Sequence, residues 1–343
     1  LQDNNLNYKA TYKKTNSYKL ILTNKAFSSN MSTNKVSVLL LIFNRSDNAL
    51  KVLEQIKLYH PTTLYIAADG PRKHKKDEAE ICDNVRKTIC NAINWPCEVR
   101  TLFQTENLGC AKAVNNAISW FFTQEEYGII IEDDIILSPD FFQLCEILLP
   151  KYKEDERIMQ ISAQNRSQKF HTSNEYIFNV MPVIWGWATW RRAWRKMDMQ
   201  MNAWPNFSKI RIIKTYGLFQ GCMMWYYWHY TYKHIETTQS WATRWFFAIL
   251  ANNGMCICPK VNLAINSGIG TTDATHYKKG DKDPYAYLKL GKINWPLKID
   301  CPVKLNKRQL FYDRQDFFRI RMIGINKRIR QLLNFQNNIS SIK

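Results

Sequence analysis

The sequence predicts an α/β protein in which helices cover both faces of a mostly parallel sheet. Three observations lead to this class. Short apolar runs alternate with segments of helical periodicity between residues 36 and 163, and strands separated by helices form right-handed βαβ units. The 343 residues are 45% hydrophobic and 22% charged, which permits a sizeable core and excludes a disordered chain. No internal repeat or low-complexity linker divides the chain.

Each element follows from its local pattern. The run at residues 36–43, apolar except for Ser37, predicts a buried strand, and the next segment places Leu50, Leu53 and Ile56 on one helical face. Ser138 and Pro139 have the residue types of an N-cap and a first helical position. In order, we predict strands over residues 36–43, 63–68, 99–104, 128–131 and 158–163, and helices over 46–58, 77–93, 109–122 and 139–149. A Rossmann-like sheet of this kind places its ligand crevice at the carboxyl ends of the strands.

The remainder of the chain predicts further regions. Residues 1–35 are expected to form an N-terminal extension, and residues 36–300 the main domain. Within that domain, residues 36–165 form the half that carries the α/β pattern and the ligand crevice, and residues 166–300 form a Trp-rich half. Residues 301–343 form a basic C-terminal extension, which either lies on anionic lipid or closes the sheet as a helix with solvated charges.

Charge and cysteine usage limit the partners and the compartment. The 48 Lys and Arg against 29 Asp and Glu give a net charge of +19, which predicts attraction to phosphate groups. The nine cysteines form no C-x-x-C pair and favour a reducing compartment. The longest apolar run, residues 36–43, is shorter than the roughly 20 residues that span a bilayer. We therefore expect a cytoplasmic protein, peripheral at the inner membrane face, or a Golgi-lumenal one if an anchor precedes Leu1.

Three adjacent carboxylates follow the strand predicted at residues 128–131. Glu132, Asp133 and Asp134 stand where that strand reaches the crevice, and such a cluster repels itself unless a cation is present. Hard divalent ions such as Mg²⁺ or Mn²⁺ prefer carboxylate oxygens and bridge to substrate phosphates. The alternative is a solvated acidic turn that caps the next helix.

Polar residues also follow the neighbouring strands. Asp69 has the chemistry to accept from a base or ribose, and Arg45 or Lys112 to offset phosphate charge. No dinucleotide fingerprint, P-loop, zinc-ligand spacing or hydrolase motif occurs. The strand ends together predict a nucleotide site formed by Asn44, Arg45, Asp69, Asn107, Gly109, Lys112, Glu132 and Asp133.

A series of short motifs follows in a fixed order along residues 36–277. The motifs are Val38 to Asn44, Asp69-Gly-Pro-Arg72, Asn107-Leu-Gly109, Ile131-Glu-Asp-Asp134, Ser138-Pro-Asp-Phe-Phe142, Trp185 to Trp190, Ser240 to Trp245, Asn252-Asn-Gly254 and Asp273-Ala-Thr-His276. In this order they resemble the motifs of bacterial sugar transferases of the GT-A fold, described as hemolysin-like or nucleotide-diphospho-sugar transferases. The acidic block also resembles that of the Golgi N-acetylglucosaminyltransferase that starts complex N-glycans.

The resemblance implies an inverting, metal-dependent glycosyltransferase of the hexosyltransferase class. Its donor would be a nucleotide-diphosphate sugar, in particular a UDP-sugar, and its acceptor a glycan or lipid-linked glycan in polysaccharide biosynthesis. Asp134 would bind Mn²⁺ or Mg²⁺ directly, and His276 matches a late histidine at the metal and diphosphate site. An alternative for His276 is a surface histidine in a Thr-rich loop.

The catalytic base and the acceptor contacts are less closely determined. The N-glycan enzyme has an aspartate soon after a tryptophan in its late helix, whereas residues 241–245 contain no carboxylate. Asp273 and Glu236 are the nearest candidates in sequence, and Asp273 is preferred. Trp185 and Trp187 are predicted to stack on sugar at the acceptor or donor pocket. Trp187, Trp190 and Trp194 alternatively pack the core from one helical face.

Two rival functions agree with parts of the sequence. A sugar-phosphate nucleotidyltransferase shares the sheet and its acidic strand ends, but it needs a Gly-rich triphosphate loop, which is not seen after residues 36–43. A non-enzymatic binder of polyanions or anionic membranes agrees with the net charge of +19, but it leaves the acidic triplet without a purpose. We therefore expect a nucleotide-sugar donor and a glycan acceptor, peripheral contact with an anionic membrane, and no nucleic-acid partner.

Overall fold

The structure is a computed structural model that describes the backbone of residues 17–21 and residues 35–167, 172–268, 285, 287–320 and 322. Its strands are β1 (Ser17–Ile21), β2 (Val38–Ile42), β3 (Thr63–Ala68), β4 (Glu98–Phe103), β5 (Tyr127–Glu132), β6 (Ile135–Leu137), β7 (Ile158–Ser162), β8 (Tyr176–Asn179), β9 (Trp187–Trp190), β10 (Met255–Pro259) and β11 (Ala264–Asn266). Its helices are α1 (Ser46–Tyr59), α2 (Glu78–Asn91), α3 (Cys110–Gln124), α4 (Pro139–Lys151), α5 (Arg191–Trp194), α6 (Lys209–Tyr216), α7 (Leu218–Lys233) and α8 (Trp241–Ala251). Residues 307–320 are also helical.

Nine strands form the central sheet in the order β1-β4-β3-β2-β5-β9-β7-β10-β8. The four strands β4, β3, β2 and β5 are mutually parallel. Beyond them β9 is antiparallel to β5 and to β7, and β7 is parallel to β10. Six of the nine strands therefore run in one direction, which confirms the predicted mostly parallel α/β sheet.

The sheet is buried because its parallel strands are apolar throughout. Every residue of Val38–Ile42 is buried, as is usual for a parallel strand with both faces covered. Helix α1 packs Val52, Leu53 and Ile56 inward. Helix α4 begins as predicted, with Pro139 in its first turn and the Ser138 hydroxyl accepting from the Asp140 amide at 3.4 Å. The central strands and their helices thus form one continuous core.

The tryptophans around residue 190 differ from the predicted helical face. Trp187 and Trp190 belong to strand β9, and only the short helix α5 follows them. Three residues apart in a strand, they point to opposite faces. Trp190 donates its indole N–H to the Leu149 carbonyl at 2.8 Å, whereas Trp187 stacks on Trp241 with ring centroids 5.6 Å apart. The expected single helical face is therefore wrong, because these residues alternate across a sheet.

A second, aromatic core lies beside the sheet. Helices α6, α7 and α8 bury Trp204, Trp228 and Phe247 together. The helix over residues 307–320 packs Leu310 into this cluster, and Leu305 just before it bridges to Phe178 of β8. At the other edge of the sheet, β1 pairs antiparallel with β4, so part of the predicted N-terminal extension is a strand. Among the described residues, no helix has the length and apolar character needed to cross a membrane.

Candidate active site

The carboxyl ends of the parallel strands bring the predicted site residues to one edge of the sheet. Leu41 pairs with Glu132 across β2 and β5, and Ile42 pairs with Ala68 across β2 and β3. Arg45, Asp69 and the carboxylates that follow β5 therefore leave the sheet side by side. This shared edge is where open α/β sheets bind their ligands.

One arginine reaches two members of the acidic triplet. The Arg45 guanidinium donates to Asp133, and its Nη2 lies 3.2 Å from Oδ2 of Asp134. The side chains of Asp133 and Asp134 are only 6% and 13% exposed. Yet Oδ2 of Asp133 and Oδ1 of Asp134 are buried without a hydrogen-bond partner among the described residues. Such oxygens are costly to bury, so the cluster has unused capacity for a cation.

Two carboxyl groups of the triplet have raised pKa values. Burial raises the pKa of Glu132 to about 8, and the negative charges of Asp134 and Asp133 contribute further, against the opposing effect of Arg45. Burial raises the pKa of Asp133 to about 6, although Arg45 opposes this shift. At neutral pH Glu132 therefore mostly holds its proton, while Asp133 is mostly ionised and is paired with Arg45.

Strand β11 fixes Asp134 from the other side. It pairs antiparallel with β6, and beyond it the amide and hydroxyl of Ser267 donate to the Asp134 carbonyl at 2.8 and 3.1 Å. A Cβ on Gly268 would stand 2.6 Å from Oδ2 of Asp134 and 3.2 Å from Nη1 of Arg45. Only glycine permits this approach, and Gly268 is not among the residues predicted from the sequence. A glycine after a short strand does not indicate a site in the sequence, because its neighbours depend on which strand pairs with it.

The predicted residues Asp273 and His276 lie outside the described residues. They follow Gly268 by five and eight positions in the sequence. Their assignment as base and metal ligand stays a prediction.

Asp69 holds a loop rather than standing free for a nucleotide. Its Oδ1 accepts from the amides of Gly70 and Leu108, each at 2.8 Å, and its Oδ2 accepts from the Gly109 amide and the Asn107 side chain, each at 3.0 Å. Both carboxylate oxygens are thus used within the protein. Asp69 fixes the loop from which α3 begins, and Gly109 enters that helix with a φ of 80°.

Asn44 and Lys112 differ in their surroundings. The Asn44 amide donates to Glu78 at 3.1 Å, and Arg72 donates to the same carboxylate from Nε at 2.9 Å. The Arg72 hydrogen bonds lower the pKa of Glu78 to about 2. Asn44 therefore belongs to a hydrogen-bonded group with Arg72 and Glu78. Glu78 was not among the predicted site residues. Lys112 is exposed in the first turn of α3.

Cys110 shows that the acidic triplet and the Asp69 loop are close in space. The pKa of its thiol is raised to about 11 by the protein around the sulfur and by the negative charges of Glu132 and Asp69, although the residue as a whole is exposed. The start of α3 thus lies near both groups. Its first-turn amides add partial positive charge at that place.

The two predicted sugar-stacking tryptophans have different positions. Ile130 pairs with Trp187, so the residues that precede Trp187 lie at the end of the sheet where Glu132 emerges. Trp185 is partly exposed there, with its ring 4.9 Å from Tyr285 and the Arg166 guanidinium 5.3 Å above it. Trp187 has no exposed surface and packs in the core, so it cannot contact an acceptor as predicted.

Glu236 lies in an exposed loop before α8. The buried Arg244 holds that loop by donating to the carbonyls of Ile235 and Thr238 at 2.6 and 3.0 Å. The loop borders the site, because a Cβ on Gly109 would stand 2.6 Å from Oε1 of Gln239. Glu236 therefore stays a candidate base, because its loop lies next to the site.

The donor set fits a hard divalent ion that also takes ligands from its substrate. Within the described part of the chain, no three His, Cys, Asp or Glu side chains converge as a complete metal cage. The oxygens of Asp133 and Asp134 that lack a partner among the described residues would supply one or two carboxylate ligands instead. Mg²⁺-type sites commonly use one or two carboxylates together with phosphate oxygens and water.

Comparison with known proteins identifies a family. The sequence profile of the GNT-I (N-acetylglucosaminyltransferase I) family matches residues 3–207. No curated protein sequence matches the chain significantly. Solved structures similar to it include a mannosyltransferase from Pyrobaculum calidifontis in complex with GDP-Man and Mn²⁺, with 13% identity, coverage of 64% of this chain and 70% of the other, and a TM-score of 0.35. HddC from Yersinia pseudotuberculosis has 10% identity, coverage of 50% and 87%, and a TM-score of 0.31. These scores are too low for the structural likenesses to support an assignment.

Proposed function

The chain belongs to the GNT-I family of glycosyltransferases, and on this basis we propose that it transfers a sugar from a UDP-sugar to a glycan or lipid-linked glycan with inversion at the anomeric carbon. The proposal includes a divalent cation, Mn²⁺ or Mg²⁺, held at the acidic triplet. It also places the protein in polysaccharide biosynthesis at the cytoplasmic face of a membrane.

One observation carries this proposal. The three acidic side chains and Arg45 share the carboxyl edge of the sheet, and Asp133 and Asp134 each have a buried oxygen without a partner among the residues that the structure describes. A purely structural acidic turn would be solvated or fully paired. A site that leaves carboxylate oxygens buried and unused is arranged to receive a cation.

The chain's own residues have separate tasks in this proposal. Asp134, with Asp133 beside it, would hold the cation, which when bound supplies positive charge to the diphosphate. Glu132 would accept from ribose, a sugar hydroxyl or bound water. The Asp69 loop sets the start of α3, so its first-turn amides and Lys112 face negative charge. Electrostatic stabilisation of the departing diphosphate lowers the barrier.

The acceptor side is proposed on two features. A carboxylate, Asp273 or Glu236, would take the proton from the acceptor hydroxyl as it attacks from the face opposite the leaving group. Trp185 would stack on the acceptor sugar, since it is partly exposed at the same edge as Glu132. Attack from the opposite face gives inversion.

An assay of nucleoside-diphosphate release tests this function. UDP-, GDP- and CMP-linked sugars are each incubated with the protein and a mixture of glycan acceptors, in Mn²⁺, in Mg²⁺ and in EDTA. We expect turnover of a UDP-sugar that needs the metal and is lost in Asp134→Asn. Glu54→Gln, an exposed carboxylate on α1, is the matched control. Metal-independent turnover, or full activity of Asp134→Asn, would contradict the proposal.

A further inference from the structure

A basic cavity, lined by none of the residues of the acidic triplet, lies between α6 and the helix over residues 307–320. Its volume is about 680 Å³, and four cationic side chains line it: Arg211, Lys214, Lys307 and Arg314. No carboxylate is among its lining residues, which also include Ser208 and Thr215. A cavity with this lining attracts an anion with several oxygen atoms.

The cavity's charges are not neutralised within the described chain. None of its four cations lies within 4.0 Å of a carboxylate oxygen among the described ion pairs. Arg211 instead donates to the Leu250 carbonyl at 2.8 Å, which fixes its guanidinium at the cavity wall. Nε of Arg314 is buried without a hydrogen-bond partner in the described residues. An external anion would satisfy these groups.

Helix α7 exposes an aromatic stripe beside this cavity. Its inner face buries Gly221, Met224, Trp228 and Thr231. Its outer face should be polar in a solvated helix, yet it carries Phe219, Tyr226 and Tyr230, which are 77%, 64% and 50% exposed. These three residues, with Leu218 at 62% exposure, are called the α7 stripe. An exposed apolar surface of this kind marks an interaction site.

The cavity lies next to the start of helix α7, which carries the stripe. Gly217 ends α6 and precedes α7, and a Cβ on it would stand 3.1 Å from Nη1 of Arg314. The cavity-lining Ile210 is itself 65% exposed. Phosphate-attracting charges therefore adjoin projecting apolar and tyrosine side chains. Lipid headgroups and the acyl boundary below them present this same pair of environments.

We propose that this surface docks on an anionic membrane, with a lipid phosphate in the basic cavity and the α7 stripe in the interfacial layer. A second copy of the chain is disfavoured as the occupant, because a two-fold contact would bring the same cations together. Free phosphate would leave the α7 stripe unexplained. The proposal depends on neither the donor nor the metal of the transfer reaction.

Vesicle co-sedimentation of the full chain tests this docking. The probes are phosphatidylcholine vesicles with and without phosphatidylglycerol, and we expect binding only to the anionic ones. The double variant Lys214→Gln with Lys307→Gln should weaken that binding about 30-fold, which is the effect of two basic residues at such a surface. Both lysines are exposed, so the fold should survive. Phe219→Ser with Tyr226→Ser should weaken it about tenfold.

Matched controls separate the site from overall charge and hydrophobicity. Lys51→Gln with Lys87→Gln removes two exposed charges from α1 and α2, and Leu58→Ser removes an apolar side chain that is 69% exposed on α1. Neither control should change vesicle binding by more than about twofold. Equal losses in these controls and in the cavity and stripe variants would overturn the proposal.

Two further arms distinguish other ligands. Thermal stabilisation by inorganic phosphate or pyrophosphate that needs Lys214 and Lys307, without vesicle binding, would assign the cavity to a soluble anion and overturn the lipid proposal. Binding of a single-stranded oligonucleotide with the same dependence, again without vesicle binding, would assign the surface to nucleic acid and overturn it as well. Vesicle binding that both variants lose, with transfer to a soluble acceptor unchanged, would support it.

Discussion

The guanidinium of Arg45 lies between two carboxylates: it donates to Asp133, and its Nη2 is 3.2 Å from Oδ2 of Asp134. This relationship joins the loop after β2 to the loop after β5. It also places one positive charge beside the acidic triplet. Burial is the main cause of the raised pKa values of Glu132 and Asp133; neighbouring negative charges add to the shift, and Arg45 opposes it.

Removing Arg45 should destabilise the metal-free protein. Arg45→Gln leaves two mostly buried carboxylates without their cation, and we expect a loss of about 2 kcal/mol, below the full cost for a buried pair because Arg45 is 22% exposed. Mn²⁺ should restore part of this loss, since a metal ion would replace the missing positive charge. Urea denaturation with Mn²⁺ and with EDTA measures both effects. Arg319→Gln, which breaks a surface pair with Asp316, should cost less than about 1 kcal/mol. Equal effects of the two variants would contradict the buried charge pair.

Stability should fall as the pH rises in the metal-free protein. Glu132 has a pKa of about 8 in the folded state against 4.5 as its ordinary value, so between these values the folded state holds more protons than the unfolded state. The stability from this group is complete below pH 4.5 and is lost as the pH rises through about 8. The limiting slope is about 1.4 kcal/mol per pH unit for one proton.

Denaturation curves from pH 5 to pH 9 measure this slope. Glu132→Gln should flatten it, and Glu54→Gln on the α1 surface should not. Stabilisation by Mn²⁺ should grow over the same interval, because the metal binds the ionised carboxylates. A slope that Glu132→Gln leaves unchanged would show that another group titrates.

Substitution of Asp69 should lower the stability of the fold, because its carboxylate bonds to its own protein. Asp69→Asn replaces one acceptor oxygen with an amide that faces the Gly109 and Asn107 donors, so at least two hydrogen bonds are lost. We expect destabilisation of about 2 to 3 kcal/mol. Guanidinium denaturation measures this effect, with Asp83→Asn on exposed α2 as the control. If Asp69→Asn keeps wild-type stability but binds nucleotide more weakly, the result would support the predicted direct contact of Asp69 with base or ribose.

Gly268→Ala should disturb Asp134 by crowding. The new Cβ would stand 2.6 Å from Oδ2 of Asp134, closer than such atoms can approach, so the carboxylate must move. We expect Mn²⁺ affinity to fall about tenfold or more, as measured by calorimetric titration. Ser267→Ala removes a hydroxyl contact without adding volume, and it should have a smaller effect. Unaltered metal affinity in Gly268→Ala would place the ion away from Asp134.

Local patterns were sufficient for the elements of the nucleotide-binding half. Strand β3 has the predicted bounds of residues 63–68, and Ser138 caps α4 as expected. Parallel strands then bring Arg45, Asp69 and Asp134 to one edge, which sequence order and the rules of α/β topology together predict. These features depend on periodicity and chain direction, and a sequence carries both.

Contacts between distant segments could not be predicted in this way. Asp69 offers the same carboxylate whether it faces a ribose or four donors of its own protein, and only the fold decides which. The residue type of Trp187 predicts a contact with the acceptor sugar. The pairing of β9 with β5 and β7 buries this side chain instead. Gly268 became visible only when β11 was found against β6.

The central claim is that Asp134 and its neighbours hold a divalent ion that in turn binds the diphosphate of a nucleotide sugar. Calorimetric titration of a UDP-sugar into the wild type and Asp134→Asn, each in Mn²⁺ and in EDTA, tests it directly. Wild-type binding should need Mn²⁺, and Asp134→Asn should lose more than the roughly 10- to 100-fold that outer partners of a metal contribute. Equal affinity in EDTA, or undiminished binding by Asp134→Asn, would contradict the claim.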